Sequence, residues 1–298
     1  MSKYYYLITG LPNLTFDDTK VAYTVGDFKT EISEYLSKTD KKLIDLFYLK
    51  YDNKYLLAYL NTPDVDPDPR GTITYDDLNP IFHALKEGET VPKNKAVPSY
   101  FITFLSQYLK ETNKDNDYDL DSDEVKSPLS WEDRLSALYF EYAMKCKNAF
   151  ITQWFELNLN INNILTAITC RKYNLDKKLY IIGDNEVAEN IRTSNARDFG
   201  LGDEIDYLLD LQRIAEESDL MAREKKIDLL KWKWLEDNTF FKVFDIECLF
   251  TYILKLEMIE RWTSLDKTTG EKTFREIVGG MKSGSENALN EFKRNNNK

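Results

Sequence analysis

Only one side chain in this 298-residue sequence has an unperturbed pKa near neutrality: His83, in the apolar stretch Pro80–Leu85. A serine or cysteine nucleophile activated by an imidazole would rest entirely on it. Its surroundings read instead as those of an ordinary helix residue. The three cysteines, Cys146, Cys170 and Cys248, are far apart, odd in number and set in apolar runs. They read as reduced core thiols of a cytoplasmic protein, not as disulfides or zinc ligands, and no CxxC, HExxH or paired histidine accompanies them. Asp198-Phe199-Gly200 spells a kinase metal-binding triplet but lacks the glycine-rich loop, the strand lysine and the catalytic loop that would give it meaning. Gly279–Gly284 holds a Lys-Ser pair with the wrong glycine spacing for a phosphate loop. Counted from Asp115, the sixth and twelfth positions of a calcium loop are Leu120 and Lys126, where glycine and glutamate are needed. No catalytic, metal or cofactor residue is assigned, and the chain reads as a non-enzyme.

Composition narrows the classes further. Hydrophobic residues make up 42% and charged residues 31%, the balance of a folded soluble chain. The net charge of −11 argues against a generic nucleic-acid binder, which needs a basic face. The first apolar run, Tyr4–Ile8, is too short for a signal peptide or a membrane span, and no other run approaches about 18 residues. Any work at a membrane would therefore go through a partner.

The elements that would position these residues read as helices. All eight prolines stand at or before Pro128, and from Asp203 to Thr269 there is neither proline nor glycine. These are the strongest helix breakers, so long tracts without them predict long helices. Asp203–Trp234 reads as one such stretch, with Ile205, Leu208 and Leu209 on one face and Ile227, Leu230 and Trp234 on another. Arg223–Asp228 would be its solvated side. Two helices are predicted within Phe28–Leu60, with a break near Thr39-Asp40, then a loop at Asn61–Thr72. Further helices are predicted over Asp76–Lys86 and Tyr100–Lys110. Residues 111–128 carry seven acids and two lysines and read as a solvated linker. Ser130, with Asp133 three residues on, marks the next helix start. The expected organisation is an N-terminal helical subdomain over 1–110, the acidic linker at 111–128, and helical subdomains over 129–202 and 203–298. The fold class is all-α with little or no β.

One pattern recurs three times. An Asp or Asn (Asp52, Asn160, Asp245) is preceded five residues earlier by Phe47, Phe155 or Phe240 and followed four residues later by Leu56, Ile164 or Leu249. The copies are 108 and 85 residues apart. A repeat of this kind suggests one helical unit used three times; the alternative is the apolar spacing any helical protein provides. The recurring Asp/Asn is read as a helix N-cap. Arg171 and Lys172 follow the second copy, where a helix C-terminus favours cations. Trp232 and Trp234 alternate with lysines and either dock on a partner or face the core.

Several segments carry a resemblance to a family. KYYYLITGLPNL at the start, SNARDFGLGDEIDYLL, DLMAREKKIDLLKWKWLED, FFKVFDIECLFTYILKLEMIERWTSLD and FREIV resemble a bacterial family of uncharacterised proteins encoded among V-type ATPase subunits. NINNILTAITCRKYNL also looks like the sequence that recurs in the C-type subunit of V-type ATPases (d-type in eukaryotes), with Asn160 where an acid would stand and Cys170 interrupting the basic end. That resemblance implies three similar helical subdomains in a funnel-like arrangement. It implies a non-catalytic cytoplasmic subunit, peripheral at the inner face of the membrane, that couples the rotor shaft to the ion-carrying ring of the ATPase or ATP synthase. The implied partners are the shaft and ring subunits, with no cofactor, no nucleic acid and no direct membrane insertion. The alternative is a helical adaptor or assembly factor for the same complex, binding through aromatics near Trp232.

Overall fold

The computed structural model describes residues 4–62, 64–114 and 129–265. Most of the acidic linker lies outside the described residues, as does the Gly279–Gly284 stretch. Among the described residues there are eleven α-helices and no strand, so the protein is all-α. The helices are α1 (Tyr5–Thr9), α2 (Val25–Ser33), α3 (Lys38–Asn61), α4 (Tyr75–Glu87), α5 (Ser99–Lys114), α6 (Trp131–Met144), α7 (Ala149–Tyr173), α8 (Glu186–Thr193), α9 (Leu208–Ala215), α10 (Leu220–Thr239) and α11 (Ile246–Ser264).

Local chemistry accounts for most of the helix starts. Thr24 and Asp27 form a reciprocal capping box at α2. Ser37 accepts the Asp40 amide at α3, which moves the predicted break at Thr39-Asp40 back to residues 34–37. Ser130 accepts the Asp133 amide and donates to the Asp133 carboxylate at α6, as its sequence suggests. Asn148 opens α7 and Asn185 opens α8 in the same manner. The predicted Asp203–Trp234 helix is in fact two. The chain breaks at residues 216–219, where Asp219 accepts the amides of Met221 and Ala222 and starts α10. Leu209 turns to solvent on α9, while Leu208, Leu211 and Ile214 face inward.

The helices share one apolar cluster that runs from Val25 and Phe28 on α2 through Tyr48, Phe104 and Phe155 to Phe250 and Ile253 on α11. Helix α7 lies against α6, α8, α9 and α11, and α11 also covers α2 and α10. Rings mark the joints: Phe28 meets Tyr252 at 4.9 Å and Tyr139 meets Phe155 at 5.5 Å. The Tyr139 hydroxyl donates to the Leu46 carbonyl (2.7 Å), fixing α6 on α3.

The recurring Asp/Asn does not cap helices in its first two copies. Asp52 and Asn160 lie in the middle of the two longest helices, α3 and α7, and both are buried. A mid-helix carboxylate has no free helical amides within reach, so its partners come from elsewhere. Asp52 accepts the amides of Thr72 (2.7 Å) and Ile73 (3.1 Å) and the Thr72 hydroxyl (2.7 Å). Asn160 accepts from the Asn185 amide group at 2.8 Å. Its neighbour Asn163 exchanges two bonds with the backbone of Ile182. Each long helix thus holds the loop that follows it, just ahead of the next helix.

Each such loop also carries a glycine where it touches the helix. A Cβ on Gly71 would sit 2.4 Å from the Asp52 carboxylate, and one on Gly183 would sit 2.9 Å from Leu159, at a φ of +77°. The third copy differs. Asp245 stands at the N-cap position of α11 without a capping side-chain bond, and Phe240 is 77% exposed, whereas Phe47 and Phe155 are buried.

Replacing glycine by alanine usually stabilises by about 0.4–1 kcal/mol when the backbone tolerates it. Gly71→Ala is expected to do the opposite, lowering stability by roughly 2 kcal/mol in urea unfolding, because the methyl group displaces a buried carboxylate from its donors. A stabilised Gly71→Ala protein would show that this loop does not rest on Asp52.

Candidate functional site

The residues singled out for chemistry do not converge. His83 sits on the exposed side of α4, its ring edge-on to Phe82. Cys170 is buried, Cys146 and Cys248 are half-buried, and all three are free thiols in separate parts of the fold. The Asp198-Phe199-Gly200 triplet is a turn in which the Asp198 carboxylate accepts the Gly200 amide at 3.1 Å. Phe199 is fully buried at a φ of 59°. Among the described residues, no group of three or more His, Cys, Asp or Glu side chains is placed to hold a metal ion.

The residues proposed to bind a partner have structural roles. Arg171 and Lys172 fall in the last turn of α7, where the helix dipole favours them. The Arg171 guanidinium donates to the carbonyls of Ala196 (2.7 Å) and Arg197 (2.8 Å) and lies 4.1 Å over the Phe199 ring. Lys172 is exposed. Trp232 is only 3% exposed; its indole donates to Glu236 at 2.8 Å and its ring lies under the Lys255 ammonium. It offers no docking surface, which corrects the expectation of exposed aromatics there. Trp234 is half-buried and stacks on Phe150 at 5.5 Å.

The exposed aromatics lie about two turns further on, just past the end of α10. Between α10 and α11, Phe240 and Phe241 are 77% and 89% exposed, their rings 5.0 Å apart, and Val243 is beside them in sequence and also exposed. The α1 segment joins this ledge. The Tyr4 amide donates to the Phe244 carbonyl (3.2 Å), Tyr5 lies 4.7 Å from the Phe244 ring, and Tyr6 is exposed. Phe244 itself holds a φ of 61°, a strained left-handed conformation for a side-chain-bearing residue.

A second feature is a crevice of about 460 Å³ where α3, α6, α7, α10 and α11 meet. Its floor is apolar, built on Phe155, Trp154 and Met258, and its walls are charged. Lys50 and Lys54 enter from α3, Lys231 from α10, Arg261 from α11 and Arg70 from the loop that Asp52 holds. Three carboxylates face them. Glu257 pairs with Lys50 at 2.8 Å. Glu260 lies 3.9 Å from Arg70 and accepts the Val25 amide at 2.6 Å. Asp228, buried despite its place in a run read as solvated, accepts from Arg261 and from the Trp262 indole. The fit of a buried carboxylate between two donors 33 and 34 residues away could not be read from the run Arg223–Asp228 alone. FYLKYDNKYLL gives a partial sign: Lys50 is flanked by Leu49 and Tyr51 with Phe47 one turn before it, although Asn53 and Lys54 one turn on share its face.

Residues 1–285 match the model of the family described as Protein of unknown function (DUF2764). The chain belongs to that family. No curated protein and no solved structure matches this DUF2764 chain. Among its described residues no helix is long and apolar enough to cross a membrane.

Burial pushes the Lys50 ammonium down to about 8, against the pull of Glu257 beside it. Its folded pKa lies below the ordinary 10.5, so the unfolded chain holds this proton more tightly. Lys50 therefore lowers stability below about pH 8, and the penalty is relieved as pH rises from there toward 10.5. Carbon-13 NMR of the lysine side chains is expected to show one midpoint near 8 that disappears in Lys50→Met. A spectrum in which every lysine titrates above about 10 would contradict the burial of this ammonium.

Proposed function

We propose that this protein is a non-catalytic helical subunit of a V-type ATPase or ATP synthase, working through protein contacts between the rotor shaft and the membrane ring. The observation that carries the reading is the aromatic ledge of Phe240, Phe241 and Tyr6, which leaves large apolar rings in water beside a strained Phe244. Clustered exposed aromatics mark interaction surfaces, where truncating an anchor ring costs about 2 kcal/mol or more of binding. The sequence resemblance supplies the partner, and the stiff all-α construction suits a part that transmits torque. The repeated arrangement of α3 and α7, each holding its following loop by a buried polar side chain, supports a relation between subdomains like that of the C-type ATPase subunit. The third copy departs from it at Asp245 and Phe240. In this reading the protein stays at the cytoplasmic face of the membrane through its partners.

An assembly factor for the same complex is the second reading, favoured by the same ledge because it would be covered only transiently. Stoichiometry separates the two. Purification of the intact ATPase from native membranes is expected to retain this chain as a fixed component; its presence only in incomplete complexes selects the assembly factor. Absence from both removes the ATPase altogether. A Phe240→Ser/Phe241→Ser protein is expected to keep its thermal midpoint, since both rings are already in solvent, and to lose co-purification by about tenfold or more, the order expected for anchor residues.

A further inference from the structure

Cations gather in the crevice. Five of them (Lys50, Lys54, Arg70, Lys231 and Arg261) line it with three carboxylates (Asp228, Glu257 and Glu260), in a protein whose net charge is −11; outside the lining, Asp68 holds Arg70 and Glu224 acts on Lys231 and Arg261. They are not equally engaged. Lys50, Arg70 and Arg261 each have an acid partner, whereas the half-buried Lys231 makes neither a hydrogen bond nor an ion pair among the described residues, and Lys54 stands exposed at the rim without one. Burial holds the Lys231 ammonium below its ordinary pKa. Glu257 and Glu224 pull it back only from a distance, and an ammonium taken partly out of water without a directly bonded partner is unfavourable unless something supplies one.

Free donors point the same way. Lys50 commits one of its three N–H bonds to Glu257, and Arg261 commits one guanidinium nitrogen to Asp228. Tyr51, which lines the same cavity and is only 3% exposed, has a buried hydroxyl without a hydrogen-bond partner. Buried polar atoms are nearly always satisfied, so this one is a further unused contact. The cavity has the volume of a small-molecule site, for which roughly 300–1,000 Å³ is usual.

We propose that the crevice binds a phosphate-bearing small molecule, with Lys231 and Lys54 as its counter-ions and Lys50 and Arg261 as further donors. A phosphate monoester offers three acceptor oxygens and roughly −1.5 to −2 charges at neutral pH, enough to engage several of these donors at once, whereas a carboxylate offers two oxygens and one charge. The site is separate from the aromatic ledge and does not rest on membership of an ATPase.

The test is calorimetric titration of the full chain at low salt with pyrophosphate, AMP and adenosine. Pyrophosphate or AMP is expected to bind at one site and uncharged adenosine not at all. Binding of AMP but not pyrophosphate assigns the ligand to organic phosphates, and the reverse to inorganic ones. Lys231→Met and the exposed rim variant Lys54→Met are each expected to weaken binding about tenfold, the loss of one charge-assisted contact. Lys231→Met is also expected to keep or raise the thermal midpoint, because it removes an unpaired buried charge. Lys233→Met, on the solvated face of α10, is expected to leave affinity unchanged. Absence of heat with both phosphates overturns the proposal. So does tighter binding of citrate, and so does an equal loss in Lys233→Met, which would reduce the effect to general surface charge.

Discussion

The arrangement depends on one device, used in both long helices. A polar side chain buried at mid-helix holds the loop that follows. A carboxylate at Asp52 is tolerated in an apolar core only because Thr72 and Ile73 give it three hydrogen bonds. Burial pushes Asp52 up in pKa while those bonds and Lys29 pull it back. Lys29 closes the other side, donating to the carbonyls of Arg70 and Gly71. Once this loop is fixed, Arg70 is aimed at the crevice, lying 4.2 Å over the Tyr51 ring. Thr74 begins α4 directly afterwards. In α7 the neutral pair Asn160 and Asn163 does the same work with amide groups, and Asn185 both meets Asn160 and caps α8. A loop backbone that would otherwise need water finds its partners on a helix.

How much of this was legible follows from the distance over which each signal acts. Helix class, the proline-rich loop after Asn61, the Ser130 start and the basic end of α7 are written in neighbouring residues. They came out of the sequence because capping and breaking act within one turn. The break at Asp219 is local too, but the absence of Pro and Gly concealed it. An acidic N-cap without a breaker still ends one helix and begins another. The roles of Asp52 and Asp228 are different in kind. Each looks like a solvated or capping acid until its donors arrive, and those donors lie 20 to 34 residues away. Phe240 illustrates the converse. Spacing puts it in register with Phe47 and Phe155, which are buried, yet it follows the last turn of α10 and its ring meets the equally exposed Phe241.

Electrostatics separates composition from placement even more clearly. The chain as a whole is acidic, and that sum argues against a polyanionic partner such as nucleic acid. A sum says nothing about where the cations gather. Lysines and arginines from α3, α10, α11 and one loop meet over an apolar floor, where the low polarity strengthens each interaction. The depressed Lys50 and Lys231 record the cost of that gathering.

The same contacts make the crevice a joint rather than an isolated hollow. Glu257 ties α11 to α3 through Lys50, Asp228 ties α10 to α11 through Arg261, and Glu260 reaches both Arg70 and the first amide of α2. A second anion entering here competes with Glu257 for Lys50 and with Asp228 for Arg261, and it relieves the unpaired Lys231. Its binding energy therefore depends on how α3, α10 and α11 sit relative to one another. By linkage, occupancy biases those positions in return, by as much as the anion's affinity differs between them. The aromatic ledge lies at the turn joining α10 to α11, the two helices that bring Lys231 and Arg261 to the crevice. The crevice and the ledge are therefore built on the same two helices, one along their facing sides and the other at the turn that joins them.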